Sequence, residues 1–277
     1  MTEADLEGGL RLSRASGWNQ TLADWRLLLS LGPGLFRVAL RGSEVVASGG
    51  AVCYGEALAW ICMILVRPDE RGHGLGTRIF DEVLERVRSL VRAGQLRAVG
   101  LDATPAGRPI YQERGFVDGP RLVRMRLEPG RDGGGMPSGV ARLTAAEVVA
   151  VLERDREVFG ADRAAVLRRA LGSAPELAFT AASGGAYCFG RHGDHADHLG
   201  PIVASELAQA RDLLSACLCA PGDRPVMLDA RAEPAWLEAL EALGFREQRP
   251  FTRMYLGKTR PRARPELEPA VVGPEFG

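Results

Sequence analysis

A glycine-rich stretch between an apolar run and a helical pattern constrains this chain most strongly. Residues 65–87 read LVRPDERGHGLGTRIFDEVLERV and place three glycines within five positions, namely Gly72, Gly74 and Gly76. The first turn of a helix presents unpaired N–H groups and a positive dipole end, and glycine lets a phosphate approach that backbone closely. Arg67, Arg71 and Arg78 add positive charge nearby. The stretch therefore predicts a strand–loop–helix unit that binds a diphosphate.

The spacing of the glycines separates three kinds of phosphate loop. A nucleotide P-loop ends in Gly-Lys-Ser/Thr, whereas Gly76 is followed directly by Thr77. A dinucleotide fingerprint has G-x-G-x-x-G directly after its strand, whereas here Gly72 comes six residues after Val66 and the spacing is G-x-G-x-G. A third pattern, V-x-P-x-x-R-G-x-G-x-G, is matched in full from Val66 to Gly76. It resembles the acetyl-CoA loop of the GNAT superfamily of N-acetyltransferases; a glycine-rich turn without a ligand is the alternative.

The resemblance extends to a short helix downstream. GNAT proteins often end their core with the approximate pattern A-x-x-x-Y-x-x-x-G-F, and GRPIYQERGF supplies Tyr111, Gly115 and Phe116. Many members carry an asparagine seven residues before that tyrosine, where this chain has Thr104. The resemblance covers about residues 35–127 and implies an α/β fold with a mixed sheet.

The resemblance also implies which residues bind acetyl-CoA, the acyl donor. The strand before the loop would line the pantetheine arm, and an N–H near its end would face the thioester oxygen. The loop and the start of the helix would bind the pyrophosphate. The implied residues are Ile64, Leu65, Val66, Arg71, Gly72, His73, Gly74, Leu75, Gly76 and Thr77.

The family reaction, a direct attack of a primary amine on the thioester, is helped by an acid and a base. Tyr111 occupies the family's acid position, and a phenol is protonated at neutral pH; a tyrosine that only packs is the alternative. Some relatives carry a basic glutamate six residues before the position of Val66, where this chain has Trp60. Glu56 and Asp102 remain as candidate bases. The alternative for Glu56 is a position in a hairpin turn, and the alternative for Asp102 is a structural role at the end of its strand.

An internal repeat divides the chain into two halves. Residues 115–127 align without gaps on residues 244–256, and the tripeptide LDA at 101–103 recurs at 228–230. The glycine- and proline-rich segment 128–139 separates the halves. The second half has a strand and a helix in HLGPIVASELAQARDLLSACL, without a glycine loop between them. We therefore predict two tandem GNAT-like lobes, of which the second is degenerate.

Domain boundaries follow from these patterns. They place an N-terminal catalytic lobe at 1–128, a linker at 129–139, a C-terminal lobe at 140–257 and a tail at 258–277. Repeated prolines and little apolar periodicity predict that the tail is disordered or irregularly packed. Within the N-terminal lobe, Leu10–Arg14 reads as a short strand.

Composition limits the classes of function. Thirty-five Lys and Arg residues balance 35 Asp and Glu residues, so we predict neither a nucleic-acid nor a membrane-surface partner. The apolar runs are shorter than the about 20 residues of a membrane-spanning helix. Five cysteines without framework spacing indicate reduced thiols and a cytoplasmic location. The histidines of RHGDHADH, residues 191–198, are predicted to flank a β-hairpin turn rather than to bind a metal.

The predicted function is transfer of an acetyl group from acetyl-CoA to a primary amine of a small molecule or peptide. The protein would act as a monomer or homodimer, with its C-terminal lobe shaping the acceptor pocket. Two alternatives stay open: a non-catalytic acyl-CoA-binding module, and a subunit whose degenerate lobe binds a protein partner. The sequence contains no motif that identifies the acceptor amine.

Overall fold

The computed structural model describes residues 1–130, 135–219 and 223–277. Part of the predicted linker, residues 131–134, therefore lies outside the described residues. The helices are α1 (Leu6–Ala15), α2 (Leu22–Leu31), α3 (Leu75–Arg92), α4 (Arg108–Glu113), α5 (Val148–Phe159), α6 (Ala164–Ser173), α7 (Leu207–Leu218) and α8 (Pro234–Ala242). The strands are β1 (Arg37–Arg41), β2 (Glu44–Tyr54), β3 (Leu58–Val66), β4 (Ala98–Ala103), β5 (Phe116–Leu127), β6 (Val140–Arg142), β7 (Phe179–Ala181), β8 (Tyr187–His192), β9 (Asp197–Val203), β10 (Val226–Arg231), β11 (Arg246–Leu256) and β12 (Ala270–Val271).

The segment at Leu6–Ala15 is a helix, α1, because its apolar residues follow a helical spacing. The predicted strand at Leu10–Arg14 is wrong, because α1 buries Leu6 and Leu10 on one face at a spacing of four residues. The next helix, α2, begins with a capping box in which the Thr21 hydroxyl accepts a hydrogen bond from the Asp24 N–H at 3.2 Å.

Both faces of the N-terminal strands are covered by helices. On one face, α3 packs its buried stripe from Ile79 to Val87 against small and apolar residues of β2, β3 and β4. On the opposite face, α1 and α2 share an apolar core with helices α5 and α6 of the second half. Strands buried on both sides explain the near-continuous apolar sequence of Leu58–Val66.

The strands of the two halves join into one continuous sheet. Twelve strands of the described residues follow the order β1-β2-β3-β4-β11-β5-β10-β12-β9-β8-β7-β6. Strand β11 of the second half is hydrogen-bonded between β4 and β5, and β5 in turn pairs with β10 of the second half. The predicted mixed α/β sheet with two tandem lobes is confirmed, but each half contributes a strand to the other. The boundaries at 128 and 140 therefore do not separate two independently packed units.

The exchanged strands are the two copies of the sequence repeat, and they carry matching ion pairs. Asp102 lies opposite Arg253 and Asp229 lies opposite Arg124 in the two exchanged ladders. Arg253 donates to both oxygens of Asp102 at 3.0 and 2.9 Å, and Arg124 donates to both oxygens of Asp229 at 2.9 and 2.7 Å. The repeated tripeptide LDA and the repeated arginine thus connect the halves.

The C-terminal segment, residues 258–277, is packed against both halves. Of the two predicted alternatives, disorder does not apply: the segment contains β12, and six of its last seven residues, 271–277, are buried. Strand β12 pairs with both β10 and β9, so it lies between them. The Tyr54 hydroxyl donates to the Phe276 carbonyl at 2.6 Å, which attaches the segment to the N-terminal half.

Candidate active site

A cleft opens where β3 and β4 diverge. Their parallel pairing covers Leu58–Trp60 and Ala98–Gly100 and ends there. Beyond that point β3 contains a bulge, and Met63 adopts a left-handed φ of 57°, which is uncommon for a residue with a side chain. The carboxyl end of β3 therefore presents backbone groups to a cavity instead of to β4.

The glycine loop lies at the mouth of this cavity, which we call the glycine-loop cleft. Gly72 and Gly74 adopt left-handed φ angles of 82° and 74°, and a Cβ added at either would meet no protein atom within 4 Å. The loop thus leaves open space in front of the first turn of α3. The glycine-loop cleft has a volume of about 610 Å³ and is lined by Ser16, Trp18, Ile64, Leu65, Val66, Glu70, Arg71, Gly72, Gly74, Leu75, Gly76, Thr77, Phe80, Thr104, Ala106, Gly107, Ile110 and Tyr111.

Nine of the ten residues predicted to bind the donor line this one cleft. The exception is His73, whose Nδ1 lies 3.3 Å from the Glu70 carbonyl oxygen. The three arginines near the loop differ in whether carboxylates of the protein already pair with them. Arg71 lines the cleft, whereas Arg67 is engaged by the carboxylates of Glu44, Asp69 and Glu70, and the exposed Arg78 pairs with Glu82.

Tyr111 lies at the inner end of the glycine-loop cleft. Its ring packs on Phe80 with a centroid distance of 4.6 Å, and Phe116 lies beyond at 6.3 Å. Burial raises the pKa of Tyr111 to about 12, so the phenol carries its proton across the physiological range. Tyr111 also lines a second cavity behind the cleft, so this side chain borders both spaces.

This second cavity, the inner cavity, extends between the two halves. It has a volume of about 90 Å³, and it shares Trp18, Ile64, Thr104 and Tyr111 with the glycine-loop cleft. Its other lining residues are Gln20, Ile61, Cys62, Met63, Leu101, Asp102, Arg124, Arg249, Phe251, Pro274 and Glu275. Sequence reasoning missed Trp18, Gln20, Arg249 and Glu275, because they lie outside the motifs and reach the cavity through tertiary packing.

The structure places the two candidate bases differently. Glu56 lies in the exposed turn between β2 and β3, outside both cavities and 3.8 Å from Arg97, and the length of β3 places it roughly 25 Å from the glycine loop. Asp102 does line the inner cavity, but both of its oxygens accept hydrogen bonds from Arg253 and its side chain is excluded from solvent. These contacts favour the structural role that the sequence left as the alternative for Asp102.

Comparisons with known proteins decide the family. A profile described as "Acetyltransferase (GNAT) domain" matches residues 32–118, and a second profile with the same description matches residues 151–267. The chain belongs to the GNAT acetyltransferase family. Both halves of this GNAT protein are thus recognised separately, which confirms the two-lobed organisation, and the protein is an acyltransferase.

This GNAT protein is similar to other proteins over most of its length and theirs. A holothin acyltransferase from Pseudoalteromonas sp. (strain SANK 73390) is 28% identical over 272 residues, which cover 95% of this chain and 88% of that protein. The crystal structure of a candidate acetyltransferase from Pyrococcus horikoshii superposes with a TM-score of 0.80 at 22% identity, covering 100% and 94% of the two chains. A tandem GNAT protein from the clavulanic acid biosynthesis pathway has a TM-score of 0.56 at 15% identity, covering 91% and 93%. The two structures share the fold.

The C-terminal lobe of this GNAT protein has a different site at the equivalent place. Leu240 occupies the position that the repeat assigns to Tyr111, and it is fully buried. The turn into α7 has the sequence ASE and ends at Glu206, so a carboxylate replaces the glycines at the helix N-terminus. Strand β12 fills the space between β9 and β10, which corresponds to the open cleft between β3 and β4.

The histidine-rich segment forms the predicted hairpin. Strands β8 and β9 flank a turn at residues 193–196. The exposed ring of His192 lies 2.8 Å from both Glu176 and Asp197, whereas the buried His198 ring lies 3.0 Å from Asp229. Among residues 1–130, 135–219 and 223–277, the structure contains no group of three or more His, Cys, Asp or Glu side chains arranged for a metal ion. Within the same ranges, every helix is too short or too polar to cross a membrane.

Proposed function

We propose that the N-terminal lobe binds acetyl-CoA in the glycine-loop cleft and transfers its acetyl group to a primary amine in the inner cavity. The observation that carries this proposal is the position of Tyr111, which borders both spaces. A reaction between a thioester in one space and an amine in the other would take place beside its phenol. The C-terminal lobe has neither a glycine loop nor this tyrosine, so we assign the reaction to the N-terminal lobe.

The glycine-loop cleft fits the chemistry of the donor. The left-handed glycines leave room for a diphosphate at the positive end of α3, a helix of 18 residues, and Arg71 adds a cation. The strand edge beyond Trp60 offers backbone N–H and C=O groups to the amide groups of a pantetheine arm. Bound in this way, the donor would present its thioester near the bulge of β3.

The residues at the junction then divide the chemical steps. An N–H near Leu65 or Val66 would stabilise the oxyanion that forms when the amine lone pair attacks the carbonyl carbon. As the C–N bond forms, the nitrogen loses its remaining surplus proton to solvent. As the C–S bond breaks, Tyr111 donates its proton to the sulfur and regains one from solvent. From the neutral amine and the thioester the products are an amide and free CoA, with no net release of protons.

The dimensions of the inner cavity favour a small acceptor. A cavity of about 90 Å³, smaller than the roughly 150 Å³ cavity that admits benzene, would hold only the amine-bearing end of an acceptor. We therefore propose a small-molecule amine, the remainder of which would lie outside this cavity, rather than a folded polypeptide. Holothin is one acceptor to test, because a relative at 28% identity is named as its acyltransferase.

The decisive experiment measures CoA thiol release from acetyl-CoA as a function of added amine. The panel contains holothin, amino acids, amino amides, an aminoglycoside and short peptides, and we expect amine-dependent release with at least one of them. Tyr111→Phe should lower kcat by about 100-fold and leave KM for acetyl-CoA nearly unchanged, since it removes a proton donor. Tyr255→Phe is the matched control, because Tyr255 is a buried tyrosine outside both spaces.

Of two other outcomes, the first would favour an alternative function and the second would change only the role of Tyr111. Tight CoA binding by calorimetry, without turnover of any panel amine and without an effect of Tyr111→Phe, would indicate a binding module. A wild-type rate in Tyr111→Phe together with normal turnover would remove the assigned acid while leaving the acyl transfer intact.

A further inference from the structure

The inner cavity contains a carboxylate that comes from the C-terminal segment. An alkylamine is mostly protonated at neutral pH, so the acceptor arrives as an ammonium ion and must lose a proton before it attacks. We propose that Glu275 is the catalytic carboxylate that binds this ammonium group and takes its proton. The inference rests on the proposed function and adds the base that neither Glu56 nor Asp102 supplies.

Hydrogen bonds on both sides of Glu275 hold it in place. The Trp60 indole N–H donates to the Pro274 carbonyl at 2.8 Å, and the Tyr54 hydroxyl donates to the Phe276 carbonyl at 2.6 Å. The Phe276 N–H donates back to the Gly273 carbonyl at 3.0 Å, which closes a tight turn around the glutamate. Residues of β2 and β3 thus position a side chain that lies more than 200 positions away in the sequence.

The two oxygens of Glu275 have different partners. Oε1 accepts a hydrogen bond from Arg191, which orients the carboxylate. Oε2 makes no hydrogen bond within the described part of the chain, although the carboxylate lines the inner cavity. The other cavity carboxylate, Asp102, has both oxygens occupied by Arg253. Glu275 is therefore the carboxylate of this cavity that keeps an acceptor site for an ammonium N–H.

Charged and titratable groups surround Glu275 on several elements. Arg191 on β8 contacts it directly, and Arg191 also contacts Asp24 on α2 and lies 3.3 Å from His198 on β9. The groups that face it from the remaining elements are Tyr54 on β2, Cys62 on β3, Asp102 on β4, Arg124 on β5 and Arg249 on β11. Three of the nearby arginines have their positive charge compensated by a buried carboxylate. Asp24 pairs with Arg191, Asp102 pairs with Arg253, and Asp229 pairs with Arg124. An incoming ammonium therefore adds a cation beside a carboxylate whose second oxygen is available.

Arg249 indicates what the rest of the acceptor carries. Its Nε is buried without a hydrogen-bond partner among the described residues, and burial lowers its pKa to about 10. Its guanidinium lies over the rings of Trp18 and Phe251, at 5.7 and 5.0 Å from their centroids. A carbonyl or carboxylate oxygen would supply the missing partner. The acceptor class assigned by the cavity is thus a small amine that also carries a carbonyl or carboxylate group.

Proton transfer from the acceptor to Glu275 comes before formation of the C–N bond. One ammonium proton passes from nitrogen to Oε2 of Glu275 and later to solvent, which leaves a neutral amine with a lone pair. That lone pair forms the C–N bond, and the nitrogen then loses a second proton to solvent. The C–S electron pair leaves on sulfur, which takes the proton that Tyr111 donates, and Tyr111 regains a proton from solvent. Overall, the ammonium form of the acceptor releases one proton. No oxidant or further reactant is required.

The test compares Glu275→Gln with wild type across a range of pH, using the panel amine that gives the fastest turnover. We expect kcat/KM at pH 7 to fall by about 100-fold or more. The loss should shrink as the pH approaches the pKa of the acceptor amine, because free amine then forms without a base. Glu275→Asp should recover part of the activity, and the Kd of CoA measured by calorimetry should stay at the wild-type value in both variants.

Glu268→Gln is the matched control for loss of a buried carboxylate. Glu268 lies in the same C-terminal segment and pairs with Arg163 and Arg231, outside the inner cavity. We expect this variant to lower the unfolding temperature without changing the pH profile of kcat/KM. A wild-type pH profile in Glu275→Gln would overturn the assignment, as would equal losses at all pH values in both variants. Turnover by the wild-type enzyme tests the proposed function separately, so the two failures can be told apart.

Discussion

Single residues determine how much space the glycine-loop cleft leaves open for a ligand. Gly74 is the N-cap of α3 and has a left-handed backbone, so it needs glycine both for its own conformation and for the ligand that we propose. Tyr111 shows the opposite case, because it is a bulky side chain that borders two cavities. Both residues lie within motifs of the N-terminal half, which is why they could be identified from local sequence patterns.

Gly74→Val should weaken acetyl-CoA binding by at least 10-fold, because its side chain would enter the space of the diphosphate. A valine at this φ also carries a backbone strain of about 1–3 kcal/mol. Gly42→Val is the matched control, since Gly42 has a left-handed φ of 59° in an open turn away from the cleft. Calorimetry with CoA should register the loss in Gly74→Val alone. Equal affinities in the two variants would contradict the assignment of the loop.

At the scale of elements, β12 explains why the two lobes differ. In the N-terminal lobe, the parallel strands β3 and β4 diverge and leave an open cleft. In the C-terminal lobe, the corresponding space between β9 and β10 is filled by Ala270 and Val271 of β12. The strand satisfies backbone groups that a pantetheine arm would contact in an open lobe. The following residues continue to Glu275, so the segment that closes one lobe also completes the inner cavity of the other.

Gly200→Ala tests the packing of this strand. A Cβ at Gly200 would lie 2.0 Å from the Val271 carbonyl oxygen, so β12 must move away from β9. We expect a loss of about 2 kcal/mol in the free energy of unfolding, together with faster proteolysis within residues 258–277. Gly172→Ala in α6 has open space around the added methyl and should not destabilise the protein. Unchanged urea denaturation of Gly200→Ala would show that β12 contributes little to stability.

The whole molecule is held together by exchanged strands and buried charges. Burial alone would raise the pKa of Asp229, but the charges of Arg124 and His198 outweigh it and lower that pKa below its usual range. Because the folded pKa is below the unfolded one, the pair stabilises the protein above about pH 4. This contribution is lost as the pH falls through the folded pKa.

Asp229→Asn should therefore cost about 3–5 kcal/mol at pH 7, since it leaves Arg124 buried without its anion. The difference between variant and wild type should become smaller below pH 4, because the Asp229 carboxylate of the unfolded wild type then begins to bind a proton and the unfolded state is stabilised. Asp118→Asn, which affects a partly exposed pair with Arg108, should cost less than about 1 kcal/mol. Urea denaturation at pH 7 and pH 3 measures all three proteins. An equal deficit at both pH values would contradict this account.

Much of the fold and part of the site follow from local sequence. The strand, loop and helix from Leu58 to Arg92, the position of Tyr111 and the repeat of 115–127 at 244–256 could all be read from short patterns. Local signals suffice there because periodicity, glycine spacing and capping act between residues a few positions apart. The mistaken strand at Leu10–Arg14 was too short for its period to be distinguished from that of a helix.

Tertiary structure alone decided the partners of these elements. The sequence carries two nearly equivalent strands, and nothing local distinguishes pairing within a half from the observed exchange between halves. Likewise, Asp102 is an acid near a predicted active site until Arg253, 151 positions away, is found to occupy both of its oxygens. Glu275 lies in a proline-rich segment with little periodicity, and its place in the inner cavity depends on Trp60, Tyr54 and Arg191. Contacts of this kind depend on packing between distant segments, which no short stretch of sequence encodes.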